Sequence, residues 1–214
     1  MIRSSATWPK LKRDLIAILR GVKPDEVLAI GEALVEAGID VIEVPLNSPD
    51  PFQSIELLAK KLPSHVLVGA GTVLDPADVV RLAEAGGRLM ISPNVDTAVL
   101  AAAAEAGMVT MPGVFTPTEA LAALRAGASG LKFFPASVLG PDGIKAISAI
   151  LPKGTVIGAV GGVDENSFAA YAKVGVRTFG LGSSLYKLGA SASFVRDRAK
   201  ATVEAYDRIF TGAL

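Results

Sequence analysis

A lysine inside an apolar stretch is the residue of this sequence best placed to do chemistry. Lys132 lies in the segment Gly-Leu-Lys-Phe-Phe-Pro. If this segment is a strand, Leu131 and Phe133 share one face, while Lys132 and Phe134 share the other. Burial would lower the pKa of the ammonium from about 10.4 toward neutrality. A neutral amine can attack a ketone and form an imine, although a lysine that reaches solvent or pairs with an acid fits the same pattern.

Two further charged residues could act beside this lysine. Glu43, in Val-Ile-Glu-Val-Pro, is the only carboxylate inside an apolar strand-like run, and a buried glutamate with a raised pKa can serve as a general acid and base. Pairing with Lys132 or Arg20 is the alternative, and it is compatible with catalysis. Arg20 follows the first apolar run and could bind a carboxylate, keep Lys132 neutral by repulsion, or form a salt bridge at the rim.

Two glycine-rich turns are candidates for binding an anion. Residues 160–163 read Val-Gly-Gly-Val, and residues 180–184 read Gly-Leu-Gly-Ser-Ser; each segment follows an apolar run and precedes a helical stretch. Glycines allow backbone N–H groups to approach a phosphate at the start of a helix. Ordinary glycine turns are the alternative interpretation.

These residues are positioned by a pattern that repeats along the whole chain, in which a short apolar run precedes a helical stretch that often ends at glycine. The eight runs are Leu15–Leu19, Val41–Pro45, Val66–Gly71, Leu89–Pro93, Val109–Pro112, Leu131–Pro135, Val156–Val160 and Thr178–Gly182. Successive runs start 20 to 26 residues apart, which is the length of a compact βα unit. The sequence predicts an α/β fold, a (β/α)₈ TIM barrel, rather than a doubly wound sheet, because the units are regular and no Gly-x-Gly-x-x-Gly opens the first helix.

The predicted domain is a single barrel over residues 1–214. Residues 1–13 form an N-terminal extension or short helix, and residues 191–212 form a closing helix. In such a barrel the active site lies where the strands run into the following helices. The strand-end candidates are therefore Arg20, Glu43, Asn47, Thr72, Pro93, Lys132, Phe134, Gly161, Gly162, Gly182 and Ser183.

Other polar residues are expected to lie outside the site. His65 precedes the third strand, at the opposite end of the barrel, and should be at the surface. Asp142, Lys145 and Lys187 fall on helical or loop segments, where solvation is the ordinary state. The stretch Thr116–Thr118 is expected to cap a helix.

Composition excludes several classes of function. The chain has no cysteine and one histidine, so disulfides, thiolate zinc sites, cysteine nucleophiles and multi-histidine metal sites are excluded. With 21 basic and 21 acidic residues, nothing in the charge favours nucleic acid or an acidic membrane as partner. No run of about 18 apolar residues occurs, so we expect a soluble, cytoplasmic protein without metal or cofactor. The mean hydropathy of +0.46 suggests an oligomer interface.

Seven segments of the sequence resemble the class I aldolases of the Entner–Doudoroff type, over about Leu15 to Lys187. The segments are Leu-Ile-Ala-Ile-Leu-Arg, Val-Ile-Glu-Val-Pro-Leu-Asn-Ser-Pro, Val-Gly-Ala-Gly-Thr-Val-Leu, Ile-Ser-Pro-Asn, Pro-Gly-Val-Phe-Thr-Pro-Thr-Glu-Ala, Lys-Phe-Phe-Pro-Ala and Ala-Val-Gly-Gly-Val. The resemblance implies a homotrimeric, metal-free barrel that cleaves a phosphorylated 2-keto-3-deoxy sugar acid. It also implies that Lys132 forms the Schiff base and that Glu43 is the acid/base. Arg20 and Thr72 would surround the pyruvate moiety, and Pro93 and Phe134 would form its apolar walls. Gly161, Gly162 and Ser183 would bind phosphate.

Two positions relate the chain to one substrate branch of this family. The branch for 2-dehydro-3-deoxy-6-phosphogluconate usually has an arginine soon after the glutamate and a threonine before the Gly-Gly pair. This sequence has Asn47 and Val160 there, which resembles the 6-phosphogalactonate branch. The substrates are epimers at C4, and a threonine can hydrogen-bond one epimer whereas valine cannot. Activity on both epimers, or on 4-hydroxy-2-oxoglutarate, is the alternative within the family.

Two functions from other classes share part of this sequence pattern. A sugar-phosphate isomerase or epimerase would share the glycine turns but generally needs a metal or an acid/base pair, for which the ligands here are sparse. A non-catalytic barrel would bind phosphorylated sugar acids without turnover. An inward Lys132 argues against both, because neither requires an amine at that position.

Overall fold

Short strands alternate with helices along the whole chain. In the computed structural model of the protein, residues 4–210 and residue 212 are described. The strands are β1 (Leu15–Ile18), β2 (Val41–Pro45), β3 (Leu67–Gly71), β4 (Leu89–Ile91), β5 (Val109–Met111), β6 (Gly113–Val114), β7 (Leu131–Phe133), β8 (Ile157–Val160) and β9 (Thr178–Leu181). The helices are α1 (Pro24–Ala37), α2 (Pro51–Lys61), α3 (Pro76–Glu84), α4 (Thr97–Glu105), α5 (Pro117–Arg125), α6 (Ala136–Ser148), α7 (Phe168–Ala172) and α8 (Ala192–Phe210).

The strands form one parallel sheet that curves into a barrel, as the sequence predicts. The order is β5-β4-β3-β2-β1-β9-β8-β7-β6, so the first strand pairs with the last. All neighbouring strands are parallel, and each connection contains a helix except the one between β5 and β6. The barrel fold expected from the regular βα repeat is therefore confirmed.

One strand differs from the prediction, because the run Val109–Pro112 extends to Val114 and is divided into β5 and β6 at Pro112. Proline has no N–H to donate to a ladder, but its carbonyl remains an acceptor. The amides of residues 130, 132 and 134 donate to the carbonyls of residues 110, 112 and 114, at 3.1, 2.9 and 3.1 Å. The two pieces thus act as one strand that pairs with β4 on one side and β7 on the other, which closes the barrel.

Apolar side chains fill both the interior of the barrel and the layer between sheet and helices. The interior cluster consists of Ile16, Val41, Leu67, Leu89, Ile91, Val109 and Met111. Trp8 and Leu11 of the N-terminal segment pack against this cluster, and Ala6 pairs with Val109 as an isolated bridge. The segment therefore covers the amino-terminal end of the barrel and leaves the carboxyl end for the site. Residues 4–13 contain no helix, and residues 1–3 of the predicted extension lie outside the described residues.

Helix ends follow local sequence signals. Thr116 caps α5, as predicted: its side chain accepts a hydrogen bond from the backbone of Glu119, whose carboxylate accepts from the Thr116 amide in return, a reciprocal capping box. The closing helix α8 occupies Ala192–Phe210, and residue 211 of the predicted 191–212 span lies outside the described residues. Among the helices that the structure describes, none has the length and apolar character needed to cross a bilayer.

Candidate active site

A cavity of about 190 Å³ lies at the carboxyl end of the barrel. Its walls come from Ile18, Arg20, Glu43, Thr72, Pro93, Lys132, Phe134, Val160, Gly161, Gly162, Val163, Gly180, Gly182, Ser183 and Ser184. Ten of the eleven strand-end candidates lie on this wall, together with Val160, although they come from seven separate segments of the chain. Asn47 is the candidate that does not line the cavity. The seven segments meet because the carboxyl ends of all the parallel strands lie at the same end of the barrel.

Lys132 is the central side chain of this cavity. It lies on β7 and is 6% exposed, and its strand neighbours Leu131 and Phe133 pack in the outer core layer, so the predicted alternation is confirmed. Its Nζ lies 4.8 Å from the centre of the Phe134 ring. Burial lowers the pKa of Lys132, the positive charge of Arg20 lowers it further, and the nearby Glu43 opposes both. The environment thus favours the neutral, nucleophilic amine.

Glu43 is the carboxylate of the cavity and is even more deeply buried. It lies on β2 and is 2% exposed. Burial raises its pKa, against the opposing influence of Lys132 and Arg20. In the described part of the chain its Oε2 is buried without a hydrogen-bond partner, and no ion pair within 4.0 Å joins it to either cation. A simple structural ion pair therefore does not describe this group, and its unpaired oxygen can exchange a proton with a bound molecule.

Space for the Glu43 carboxyl group is provided by Gly71 at the end of β3. The register pairs Glu43 with Gly69 and Pro45 with Gly71. A Cβ at residue 71 would overlap Oε2 of Glu43. Sequence analysis assigned no role to this glycine, because its function depends on a neighbouring strand that the linear pattern does not identify.

Arg20 is held at the mouth of the cavity by the two loops that follow β2 and β3. Its Nη1 donates to Oδ1 of Asn47 at 2.5 Å, and its Nη2 donates to Oγ1 of Thr72 at 3.5 Å. Thr72 adopts a left-handed backbone with φ of +57°, which is unusual for a β-branched residue and is typical of strained functional positions. Arg20 and Thr72 therefore form a fixed polar corner, and Asn47 lies behind it rather than on the cavity wall.

The two predicted glycine turns lie side by side at the mouth. Gly161 and Gly162 have φ of +92° and +71°, and a Cβ at Gly162 would approach Ser137 Oγ to 2.6 Å. A side chain is thus excluded there by both conformation and space. At Gly182 a Cβ would meet nothing within 4 Å, so this glycine borders open space beside Ser183.

Val160, at the end of β8, forms an apolar part of the cavity wall. A Cβ at Gly180 of the next strand would lie 2.6 Å from Val160 Cγ2, so the valine occupies the space that this glycine leaves. Sequence analysis missed Ile18 as a wall residue. Val163, Gly180 and Ser184 lie in the two predicted glycine turns but were not singled out within them. Alternation along β1 could have found Ile18, because it shares a face with the interior residue Ile16, whereas the contact of Gly180 with Val160 required the three-dimensional register.

The other residues considered in the sequence lie as follows. His65 is exposed and lies 3.7 Å from Asp40, at the end opposite the cavity. Asp142 and Lys145 are on α6 and do not line the cavity. Lys187 is exposed, but it lines a second cavity that adjoins the first. Within the described residues no group of three or more His, Cys, Asp or Glu side chains could hold a metal ion.

Comparisons with known proteins agree with this geometry. A sequence profile described as "Aldolase: KDPG and KHG aldolase" matches residues 10–202. A "Probable 2-dehydro-3-deoxy-6-phosphogalactonate aldolase" of Rhizobium meliloti (strain 1021) is 64% identical over 204 residues, which cover 95% of this chain and 96% of the relative. The "2-dehydro-3-deoxy-6-phosphogalactonate aldolase" of Escherichia coli (strain K12) is 46% identical, covering 91% of this chain and 95% of the relative.

The similarity extends to solved structures. One titled "Native KDPGal structure" superposes with a TM-score of 0.93 at 44% identity, covering 96% of this chain and 99% of the other. These relatives are aldolases, which favours carbon–carbon lyase chemistry over an isomerase or a non-catalytic barrel and confirms the resemblance found in the sequence. The chain belongs to the KDPG and KHG aldolase family.

Proposed function

We propose that this protein is a class I aldolase that cleaves 2-dehydro-3-deoxy-6-phosphogalactonate to pyruvate and D-glyceraldehyde 3-phosphate. The observation that carries the proposal is the pairing of a buried amine with a buried carboxyl group in one cavity. Lys132 has a lowered pKa and Glu43 has a raised pKa, so both are biased toward their neutral forms. A neutral amine and a protonated acid are the forms that imine formation requires.

The first half of the reaction builds the imine. The Nζ of Lys132 attacks the C2 ketone of the substrate and forms a carbinolamine. Glu43 protonates the departing hydroxyl, so that water leaves and an iminium remains. The positive iminium nitrogen then serves as the electron sink for the next bond to break, and Glu43 is left as the carboxylate that this step requires.

The second half breaks the C3–C4 bond. The Glu43 carboxylate takes the proton of the C4 hydroxyl, directly or through a water, and the C3–C4 electron pair moves into the iminium. D-glyceraldehyde 3-phosphate leaves, and an enamine of pyruvate stays on Lys132. Protonation of this enamine at C3 and addition of water to the imine release pyruvate and the free lysine.

The remaining wall residues orient the substrate. In this proposal, Arg20 and Thr72 hold the carboxylate at the reacting end, and Pro93 and Phe134 form the apolar walls around the pyruvate moiety. Gly161, Gly162, Gly182 and Ser183 receive the phosphoryl group through backbone N–H and hydroxyl donors. Binding energy from the remote phosphoryl group then fixes C2 against Lys132.

The galactonate epimer is proposed on two grounds. The two relatives named above, at 64% and 46% identity, are named for that substrate. Val160 also presents only methyl groups to the cavity, so it cannot form the hydrogen bond that a threonine would offer to a C4 hydroxyl group. A wall residue of this kind discriminates by about 10- to 200-fold. Assays with both phosphorylated epimers, and with 4-hydroxy-2-oxoglutarate, test this choice.

We also propose a homotrimer, as the family resemblance implies. An apolar groove between α4 and α5 supports an assembly surface; it is lined by Thr97, Ala101, Ala122, Arg125 and Ala126. Light scattering on the purified protein tests the number of subunits. A monomeric mass at micromolar concentration would reject the trimer.

Trapping the imine tests the proposed chemistry. The protein is incubated with pyruvate and borohydride, the intact chain is weighed, and the modified peptide is mapped. We expect one reduced pyruvate adduct, on Lys132, and none in Lys132→Ala. Folded protein without any adduct would reject the Schiff-base mechanism and favour an isomerase or a binding protein.

A further inference from the structure

A second cavity of about 410 Å³ adjoins the proposed active site. The two cavities share Ile18, Arg20, Gly182 and Ser183 as walls, and the second cavity adds Tyr186, Lys187 and Leu188. It lies between the loop after β1 and the loop after β9, beside the turn proposed to receive the phosphoryl group. The two cavities therefore lie next to each other at the mouth of the barrel.

The loop that carries Lys187 is fixed by hydrogen bonds on both sides. The amides of Leu185 and Tyr186 both donate to the carbonyl of Gly182 at 2.9 Å, and the Ala190 amide donates to the Lys187 carbonyl at 2.9 Å. The Tyr186 hydroxyl donates to Oε1 of Glu26 on α1 at 3.0 Å. The backbone of Lys187 is thus held at the rim of the side cavity, while its side chain is exposed.

The charge of Lys187 is not used within the protein. Among the residues that the structure describes, no carboxylate lies within 4.0 Å of its ammonium. The carboxylate of Glu26 already accepts hydrogen bonds from Tyr186 and from the Lys23 amide. Lys187 is therefore a cation at the edge of a cavity, with an anchored backbone and no acidic partner.

The proposed phosphoryl site lacks such a cation. Gly161, Gly162 and Ser183 supply backbone N–H groups and a hydroxyl, while Lys132 is reserved for the imine and Arg20 is hydrogen-bonded to Asn47 and Thr72. A phosphoryl dianion that leaves water is bound most strongly where a cation compensates its charge, and lysine commonly supplies that charge as a mobile point contact.

We propose that Lys187 binds the phosphoryl group of the substrate from the side cavity. This inference rests on the proposed function, because it takes the phosphoryl end of the substrate to lie beside Ser183. It gives the side cavity a ligand class, a phosphate monoester, and it gives Lys187 a role in binding rather than in the chemical step.

The experiment compares Lys187→Gln with the unaltered protein in two measurements. Calorimetry with glycerol 3-phosphate gives a Kd that does not depend on turnover. Kinetics in the direction of synthesis, with pyruvate and either D-glyceraldehyde 3-phosphate or D-glyceraldehyde, give the KM of each aldehyde. We expect Kd and the KM of the phosphorylated aldehyde to rise by about 5-fold or more at low salt, with kcat and the KM of the unphosphorylated aldehyde unchanged.

Two variants control for loss of charge and for the identity of the cation. Lys187→Arg keeps the charge and should retain affinity within about 3-fold. Lys173→Gln removes a charge from an exposed lysine after α7, at the other end of the barrel, and should leave both measurements unchanged.

The outcomes separate this inference from the proposed function. An unchanged Kd for glycerol 3-phosphate in Lys187→Gln rejects the role of Lys187, even when pyruvate is trapped on Lys132. An equal rise of KM for both aldehydes rejects it as well, because the effect would not concern phosphate. A raised Kd together with no pyruvate adduct would support the phosphate contact and reject the aldolase chemistry.

Discussion

Gly71 lies directly against the carboxyl group of Glu43, so closely that a single added methyl group at residue 71 would overlap Oε2. The glycine therefore determines where the buried acid can lie. Because this carboxyl group is 2% exposed and lines the cavity, a group added at residue 71 would displace it within the site itself. The position of the proposed acid/base depends on a residue that has no side chain of its own.

Gly71→Ala should reduce turnover through this contact. The added Cβ forces the Glu43 carboxyl group out of its present position in the cavity, so kcat should fall by about 10-fold or more. The free energy of unfolding should fall by about 1–3 kcal/mol, the usual cost of overpacking a core. Steady-state kinetics and denaturant titration measure the two effects.

A second substitution tests the cause. Glu43→Asp retracts the carboxyl group by one methylene, so the double variant Gly71→Ala/Glu43→Asp should regain part of the stability that Gly71→Ala loses. Additive losses in the double variant would show that the two residues do not interact.

Glu43→Gln should slow turnover by about 100-fold or more, because an amide cannot take or give the proton. The measurement is kcat for cleavage of the phosphorylated acid. Glu84→Gln, at an exposed position on α3, is the matched control and should keep full activity. Near-normal turnover in Glu43→Gln would assign the proton transfers to another group.

The same substitution should stabilise the protein at higher pH. Burial raises the pKa of Glu43, so the folded state binds its proton more tightly than the unfolded chain does. The stability contributed by this proton is fully present below the unfolded pKa of about 4.3 and is lost as the pH rises through the folded pKa. Chemical denaturation should therefore show that the free energy of unfolding of Glu43→Gln increases, relative to that of the unaltered protein, as the pH rises. A difference between the two proteins that is independent of pH would contradict this.

The reactivity of Lys132 should depend on pH and on Arg20. Burial and the Arg20 charge lower the pKa of Lys132, so trapping of a ketone should reach half its maximal rate below pH 10.4, the ordinary lysine pKa. Arg20→Gln removes a charge that disfavours the ammonium and should move that midpoint upward. Acetone with cyanoborohydride is the suitable probe, because it has no carboxylate to be held by Arg20.

Arg208→Gln, at an exposed position in the last turn of α8, is the control and should leave the midpoint unchanged. A midpoint that does not move in Arg20→Gln would indicate that burial alone sets the pKa of Lys132.

Val160→Thr should shift the preference between the C4 epimers. The side chains have nearly the same shape, but threonine adds a hydroxyl group to the cavity wall. We expect the ratio of kcat/KM for the galactonate epimer to that for the gluconate epimer to fall by about 10- to 200-fold. The comparable change at an exposed site, Val80→Thr on α3, should leave the ratio unchanged, and an unchanged ratio in Val160→Thr would place the discrimination elsewhere.

Much of the fold and of the site can be predicted from the sequence, because both depend on patterns among neighbouring residues. The βα repeat predicts the barrel, and alternation around Lys132 predicts which face of β7 points inward. A charged residue in an apolar run is conspicuous for the same reason, which is how Glu43 is found. Strand ends differ by a few residues, and the split at Pro112 is missed because its carbonyl continues the ladder that its nitrogen interrupts.

The features that sequence analysis missed depend on contacts between distant segments. Gly71 and Gly180 matter only because Glu43 and Val160 lie on adjacent strands. Lys187 resembles any solvated lysine until its loop is placed beside Arg20. The registers of the strands and the shapes of the cavities depend on how the whole barrel closes, so a local sequence pattern does not predict them.

The pairing of β1 with β9 has a consequence for biosynthesis. Arg20 follows the first strand and Ser183 follows the last, yet both line one cavity because these two strands are neighbours. Until β9 has been synthesised, the hydrogen-bonding edge of β1 has no neighbour on that side, and the cavity lacks the wall that Gly182 and Ser183 provide. A chain that ends before β9 therefore has an incomplete cavity, which is finished only when the last strand pairs with the first.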